Sequence, residues 1–316
     1  MPLFLRVAEL IIAQTNKKAI SVKDLRLNFS IQKTSSKTVN KCTLKVYNAS
    51  PDTIKKMEII NNIVILKVGY EQDIGAVTLF TGTVCRSLTY VDGADTITEI
   101  DLRDSVIPLR DAKISVSYPP HYSALAVLKG VVSNFGLPVK MSLNVNDKQY
   151  ISGFAYNGRA RDAMDRVCDF LDLEWSAQDG ELQIIRKGGV YAETAVVLSK
   201  DTGLIGYPRR EAETMTEKSN AQTGIKYESN RVTHNSINVE DPTAKIKNRQ
   251  TLDGAGYRVK SLLNPAIYPG AYVKLISNNI HGEFFRVEEA KYIGDTHGQE
   301  WNVEALLRYP KDGGQK

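Results

Sequence analysis

Hydrophobic and polar residues alternate along the first 110 residues, as they do in half-buried antiparallel strands. One face of the first clear strands collects the residues Leu25, Leu27, Phe29, Ile31, Cys42, Leu44 and Val46. Ser50 followed by Pro51 then predicts the N-cap and first turn of a short helix. Three more strand patterns follow, with a tight turn at Asp92-Gly93. The pattern predicts a closed or nearly closed β-module with one short helix over residues 1–112.

The strand-like alternation gives way over residues 113–190 to two amphipathic helix patterns, which predict an α/β middle domain. The first predicted helix runs from Ser123 to Phe135 and ends at Gly136. The second runs from about Arg159 to Leu171, and one face of it carries the aspartates 162, 165, 169 and 172. A solvated face is the favoured interpretation of this acidic stripe, with a partner-facing or metal-binding strip as the alternative.

Strand patterns return over residues 191–316 and predict a second β-module. A polar stretch at about 209–253 interrupts it and is unusually long for a connection inside a compact domain. Either a contact arm or a conditionally ordered loop would explain that length. The predicted fold class is mainly β with an α/β middle domain (α+β), in which two β-barrel modules flank a smaller helix-containing domain.

Composition narrows the cellular setting. The chain of 316 residues has a net charge of +5, spread along its length rather than gathered into a basic arm. The first twenty residues lack the pattern of a secretory signal, and no apolar run is long enough to span a membrane. Three widely spaced cysteines predict buried thiols in a reducing compartment rather than a disulfide framework: Cys42, Cys85 and Cys168.

The sequence offers no convincing catalytic motif. It contains no HExxH, GxSxG, P-loop or CxxC pattern, and its four histidines show no ligand spacing: His121, His234, His281 and His297. Glu99 and Asp101 share a strand face, which an exposed strand explains as well as a catalytic pair does. We therefore expect no enzyme activity, no cofactor and no metal site.

Turn residues dominate the C-terminal part of the chain. Asn264-Pro265 and Pro269-Gly270 predict two rigid bends before the strand AYVKLIS, because proline excludes helix and central-strand pairing there. Three glycines, Gly282, Gly294 and Gly298, mark later turns, and Trp301 carries the last strand into a core.

These elements, together with GLIGYPRRE at 203–211, resemble the C-terminal domain of baseplate hub proteins from contractile-tailed bacteriophages, the group that includes late control protein D. The resemblance covers 203–211 and roughly the last 60 residues. The insertion near 209–253 departs from the family pattern. The matching positions are Gly203, Gly206, Pro208, Leu263, Asn264, Pro265, Pro269, Gly270, Gly282, Gly294, Asp295 and Trp301.

The resemblance implies a structural subunit that has two tail-tube-like β-barrel modules and forms a homotrimeric ring. Such a ring joins the tail tube protein to the central spike protein, contacts other baseplate proteins, and surrounds DNA without recognising its sequence. It implies a place in the virion tail baseplate, assembled in the cytoplasm of the host bacterium.

Three alternatives stay open. The first is a tailocin or type VI spike subunit with the same fold, and the second is a cell-wall hydrolase. The third is a nucleic-acid-binding protein with exposed aromatic platforms. It requires Tyr90, Tyr292 and Trp301 to be exposed, whereas we expect them to be buried or at subunit contacts.

A faint internal repeat accompanies the resemblance. The segments 82–102 and 282–306 both start with glycine, contain a Tyr-aliphatic pair and turn at Gly/Asp residues. Aligning Tyr90-Val91 with Tyr292-Ile293 leaves two interpretations open, a duplication that produced the two β-modules or the general similarity of β-hairpins to one another.

Overall fold

The computed structural model describes residues 5–13, 19–72, 75–142, 145–191, 194–211 and 256–311. The first group of elements comprises β1 (Arg6–Ala13), β2 (Ile20–Val22), β3 (Leu27–Thr34), β4 (Lys41–Tyr47), α1 (Pro51–Met57), β5 (Ile63–Tyr70), β6 (Gly75–Asp92), β7 (Asp95–Arg103) and α2 (Val106–Asp111). We call β1–β7 the N-terminal module.

The middle module has short strands and two longer helices. Its elements are β8 (Lys113–Tyr118), β9 (Tyr122–Ser123), α3 (Ala124–Val132), β10 (Val139–Met141), β11 (Gln149–Tyr150), β12 (Phe154–Arg159), α4 (Ala160–Leu171), β13 (Leu173–Gln178) and β14 (Glu181–Arg186). The C-terminal module contains β15 (Ala195–Leu198), β16 (Leu204–Glu211), β17 (Gly256–Leu262), β18 (Tyr272–Ser277), β19 (Ile280–Asp295) and β20 (Trp301–Arg308).

Among the described residues, 13 strands form one sheet that joins the two outer modules. Its main path runs β16-β17-β20-β19-β3-β4-β7-β6-β5-β1-β2, and β18 pairs with β15 and β19 beside it. The modules meet where β3 pairs antiparallel with β19. We call this β3–β19 contact the inner seam. The middle module adds a three-stranded sheet and two strand pairs of its own, so the mainly β fold class is confirmed.

Two hydrophobic clusters underlie this arrangement. One contains buried residues of both outer modules, among them Phe29, Phe80 and Phe285. The other lies inside the middle module, where α3 and α4 pack around Trp175. The outer modules therefore share one continuous core, and the middle module has a separate one.

The helix predictions are confirmed in their details. Ser50 caps α1 by accepting a hydrogen bond from the Thr53 amide. The first middle helix ends in a 3-10 turn at Ser133–Phe135, and Gly136 follows with φ +63°. The predicted amphipathic character of α4 is confirmed, because its buried residues follow helical spacing: Ala160, Ala163, Met164, Val167, Cys168 and Leu171.

Four expectations need correction. The N-terminal part has a second short helix, α2, in which Pro108 occupies the first turn, where no intrahelical N–H bond is required. Asp165 is not simply solvated, because its carboxylate accepts from the Trp175 indole at 2.8 Å and pairs with Lys37. Cys85 is exposed, because β6 bulges between Val84 and Arg86.

The fourth correction concerns the polar insertion. Residues 209–211 belong to β16 and pair with β17 at 256–258. The rest of the predicted insertion, residues 212–253, lies outside the described residues, as does His234.

Candidate assembly interface

The inner seam is a regular antiparallel ladder. It pairs Thr34 with Glu289 at one end and Asn28 with Asp295 at the other. Beyond the first pair, the Ser35 amide donates to the Glu288 carbonyl at 2.9 Å. The two modules are thus joined by backbone hydrogen bonds, the same interaction that holds each module together.

Asp295 fastens one end of the inner seam. Its carboxylate accepts hydrogen bonds from the Arg26 guanidinium at 2.8 and 3.3 Å, and from the amides of His297 and Gly298 at 2.9 Å. Burial alone would raise the pKa of this carboxyl, but these hydrogen bonds and one from Asn28 lower it to about 2. Asp295 is therefore a charged residue held by both modules.

The β13–β14 hairpin of the middle module fastens the other end of the seam. At its tip, the amides of Asp179 and Gly180 donate to the Asp104 carboxylate at 2.6 and 2.9 Å. The Lys33 ammonium, whose residue is 2% exposed, lies 2.5 Å from the Asp179 carboxylate. Burial is the main cause of the raised pKa of Asp104. This cluster connects β3, the residue that directly follows β7, and the hairpin.

A second ion pair ties the middle module to the C-terminal module. Arg286 on β19 is buried and pairs with Glu174 on β13. Burial raises the pKa of Glu174, and the Arg286 charge opposes that effect. With both ends of the hairpin held by charges, the middle module has a fixed position relative to the inner seam.

The two outer modules repeat the same strand pairing in the same register. Thr83 on β6 lies opposite both Ile63 and Arg103, and Arg286 on β19 lies opposite both Tyr272 and Arg308. In each long strand, one bulge lies before the residue that has partners on both sides and one lies after it. These bulges are at Leu79 and Cys85 in β6, and at Gly282 and Glu288 in β19. The correspondence is β3 to β16, β4 to β17, β5 to β18, β6 to β19 and β7 to β20.

Short loop contacts repeat as well. The Asn61 amide donates to the Val84 carbonyl at 2.9 Å, and the Gly270 amide donates to Val287 at the same distance. The return bonds, from Val84 to Asn62 and from Val287 to Ala271, are both 3.0 Å. The modules thus share a common plan down to individual hydrogen bonds.

The sequence alignment of the repeat is wrong by a few residues. In the structure, the bulge residue Gly282 corresponds to Leu79 rather than Gly82, and Tyr292 corresponds to Thr89 rather than Tyr90. Tyr292 is fully buried, whereas Tyr90 is half-buried. The glycines and tyrosines that suggested the alignment therefore occupy different positions in the two sheets.

Two strand edges of this repeated plan carry exposed apolar side chains. On β6, beyond its second bulge, Leu88 and Val91 are 49% and 73% exposed. On β16, Ile205 and Tyr207 are 41% and 75% exposed. Beside β16 lies a cleft of about 450 Å³, lined by Tyr207, Pro208, Arg210, Tyr257 and residues 277–280. Exposed apolar groups on unpaired edges are typical of surfaces that bind another chain.

The residues of the predicted family signature are spread along the C-terminal module rather than gathered in one pocket. Gly203, Gly206, Gly270 and Gly282 all have positive φ, from +69° to +105°, so each allows a turn or bulge that other residues adopt poorly. Asn264 accepts from the Ala266 amide at 2.9 Å and forms the turn that contains Pro265. Leu263, Pro269 and Trp301 are buried behind these turns.

Gly294 has a packing role. A β-carbon there would lie 2.3 Å from the Phe29 ring, which crosses it to reach Trp301. Pro208 lies on β16, within the bulge between Ile205 and Arg209. Gly282 and Gly294 were predicted to mark turns, but both lie within β19, the first at a bulge and the second at a packing contact.

The two carboxylates that sequence analysis singled out as a possible catalytic pair take part in ion pairs. Glu99 and Asp101 are both engaged by the Arg86 guanidinium, at 3.0 and 2.8 Å. Among the described residues, no group of three His, Cys, Asp or Glu side chains is placed to hold a metal ion. The described part of the chain contains no helix with the length and apolar character needed to cross a membrane.

Two of the three aromatic side chains that a nucleic-acid-binding function would need at the surface are buried. Tyr292 and Trp301 are 0% and 3% exposed, as expected, so neither can stack on a base. The residues that sequence analysis missed are the charged ones at the seam, Lys33, Asp104 and Arg286. Each is far in sequence from its partner, and no local pattern distinguishes a buried ion pair from surface charge.

Comparison with known proteins locates this fold. Neither a protein-family model nor a curated protein matches the sequence. The structure is similar to a tail protein from Neisseria meningitidis MC58, with a TM-score of 0.62 and 11% identity over 98% of both chains. It is also similar to the 43 kDa tail protein of prophage MuSo2 from Shewanella oneidensis, with a TM-score of 0.61 and 12% identity over 96% of this chain and 98% of that one.

A third neighbour comes from a secretion machine. An E. coli component of the type VI secretion system, described as structurally similar to the T4 bacteriophage tail proteins gp27 and gp5, matches with a TM-score of 0.59 and 10% identity. The match covers 97% of this chain and 78% of that protein. The chain therefore has the fold of these tail and secretion proteins over nearly its whole length.

Proposed function

We propose that this chain is a structural subunit of a phage tail, and specifically of the baseplate hub of a contractile tail. Three copies form a ring that joins the tail tube protein to the central spike protein and contacts other baseplate proteins. DNA passes through the lumen without sequence recognition. In this role the protein has no catalytic function and resides in the virion after assembly in the host cytoplasm.

The repeated register of the two outer modules is the observation that carries this proposal. Three chains with two alike modules each present six similar units, which suits a junction between a sixfold tube and a threefold spike. Full-length similarity of fold to two tail proteins, one of them from a prophage, supports the same role.

Native mass measurement of the purified chain is the direct test. A trimer, formed alone or on addition of tube or spike protein, is expected. A chain that stays monomeric at high concentration with both partners present would contradict the proposal.

A related injection machine is the second candidate, favoured by the similarity to the type VI secretion component. It needs the same ring but transports no DNA. Gene neighbours separate the two, because capsid and terminase genes accompany a true phage. An assay on peptidoglycan addresses the hydrolase alternative, and activity abolished by changing one carboxylate would overturn the structural role.

A further inference from the structure

In the strand arrangement that the two outer modules share, one strand edge of each module has no partner strand in the described part of the chain. Within the chain, the outer edge of β3 pairs with residues 289–295 of β19. The corresponding edges are the outer edge of β16 and residues 86–92 of β6. In the described part of the chain, β16 pairs only with β17, and residues 86–92 pair only with β7. Both edges are therefore open on the side where their counterparts are paired.

We propose that β16 of one copy pairs antiparallel with residues 86–92 of a second copy, repeating between chains the pairing that β3 and β19 make within one chain. We call this contact the outer seam. It rests on the proposed ring and specifies how the ring closes. With inner and outer seams alternating around the ring, the outer edges of β3 and β16 and the edges at residues 86–92 and 289–295 are all paired, which removes the two edges that the isolated chain leaves open in this plan.

The inner seam fixes the register of the outer one. Gln32 lies opposite Lys291, and the repeated pairing equates these residues with Glu211 and Leu88. Arg210 then faces Thr89, and Arg209 faces Tyr90. The hydrogen bond from Ser35 to Glu288 sets which pairs exchange backbone bonds. Hydrogen-bonded and non-hydrogen-bonded pairs alternate along an antiparallel ladder. In the outer seam, Arg210 and Thr89 therefore exchange backbone hydrogen bonds, whereas Glu211 and Leu88 form a non-hydrogen-bonded pair whose side chains approach closely.

The side chains at this register are complementary. Arg209 lies diagonally across from Asp92, and Glu211 lies diagonally across from Arg86, so both diagonals bring opposite charges together. Leu88 and Tyr90 supply apolar surface between these charges. Pro208 limits the length of the seam, because its backbone has no N–H to donate. That restriction favours this one short pairing over open-ended edge-to-edge association.

Disulfide trapping tests the register. In a Cys85→Ser background, the two remaining cysteines are buried, and the pair Leu88→Cys with Glu211→Cys places thiols directly opposite each other across the outer seam. Oxidation is expected to give cross-linked chains that run as dimers and trimers without reductant. A second pair, Tyr90→Cys with Arg209→Cys, repeats the test on the same face and guards against poor folding of the first.

The matched control is Leu88→Cys with Arg210→Cys. It shifts one partner by one residue and turns its thiol to the opposite face, so cross-linking is expected to fall about tenfold. A trimer that cross-links equally in and out of register, or in neither, would overturn the outer seam and leave the proposed function intact. A parent chain that is monomeric with tube and spike proteins present would contradict the ring and the seam together.

Discussion

Phe29 and Trp301 meet edge to face with 5.5 Å between their ring centroids, and Gly294 lies between them. The three residues form a row across β3, β19 and β20, so the contact joins the N-terminal module to the last strand of the chain. Because Gly294 has no side chain, the Phe29 ring occupies the space in front of it.

Gly294→Ala is expected to destabilise the protein by about 1–3 kcal/mol, because overpacking forces the Phe29 ring to move. The new β-carbon would lie 2.3 Å from that ring. Urea unfolding measures the loss. In a Phe29→Leu background the same substitution should cost less, and an equal cost in both backgrounds would show that the two sites do not interact.

Asp295→Asn is expected to lower the free energy of unfolding at pH 7 by about 1–2 kcal/mol, after allowance for nearby solvent. The pKa of Asp295 is lowered to about 2 from an ordinary 3.8. Its stabilising effect is therefore complete above about pH 4 and is lost as the pH falls toward 2. Unfolding curves of both proteins should converge across that range. Asp201→Asn, at an exposed site, serves as the control.

Lys33→Met removes the buried cation beside Asp179 and is expected to cost about 2–3 kcal/mol. Hydrogen exchange should rise first in the β13–β14 hairpin, since its tip loses the ion pair. Lys41→Met, on the exposed face of β4, should change neither quantity appreciably.

The same variant has a defined pH dependence. Burial raises the pKa of Asp104, so ionisation of Asp104 opposes folding, and stability is recovered as the pH falls through its folded-state pKa toward 3.8. Loss of the Lys33 charge should enlarge this recovery. A parallel pH profile for Lys33→Met and the parent would show that Lys33 does not interact with Asp104.

Thiol labelling of the native chain is expected to modify one cysteine rapidly and the other two only after unfolding. Cys85 is exposed, whereas Cys42 and Cys168 are buried. Burial raises the pKa of Cys168 to about 12, so its thiolate is scarce at neutral pH. Mass spectrometry before and after denaturation gives the count. Rapid labelling of Cys168 would contradict the packing of α4.

Local patterns predicted the parts of the fold that depend on neighbouring residues. Ser50 with Pro51 indicated α1, and the apolar spacing of α4 indicated its buried face, because both signals lie within one or two helical turns. Alternation likewise placed Leu27, Phe29 and Ile31 in the core.

Long-range features were not predictable in this way. The bulge at Cys85 is marked by no distinctive residue, which is why Cys85 was predicted to be buried. The repeat was misaligned because glycines and tyrosines that match in the sequence occupy different positions in the two sheets. Lys33 and Asp179 are 146 residues apart, so their ion pair follows from topology alone. The strand edges of the proposed outer seam follow only from comparing the strand registers of the N-terminal and C-terminal modules.

The inner seam also has a consequence for how the chain matures during synthesis. Arg26 and Asp295 are separated by 269 residues, so β3, which also pairs with the nearby β4, gains its second partner strand only after β19 has been synthesised. Until then the N-terminal module has an open strand edge. Because contacts between residues far apart in sequence form slowly, this edge stays open longer. We therefore expect the nascent N-terminal module, while this edge is open, to be the form of the chain that is most prone to aggregate.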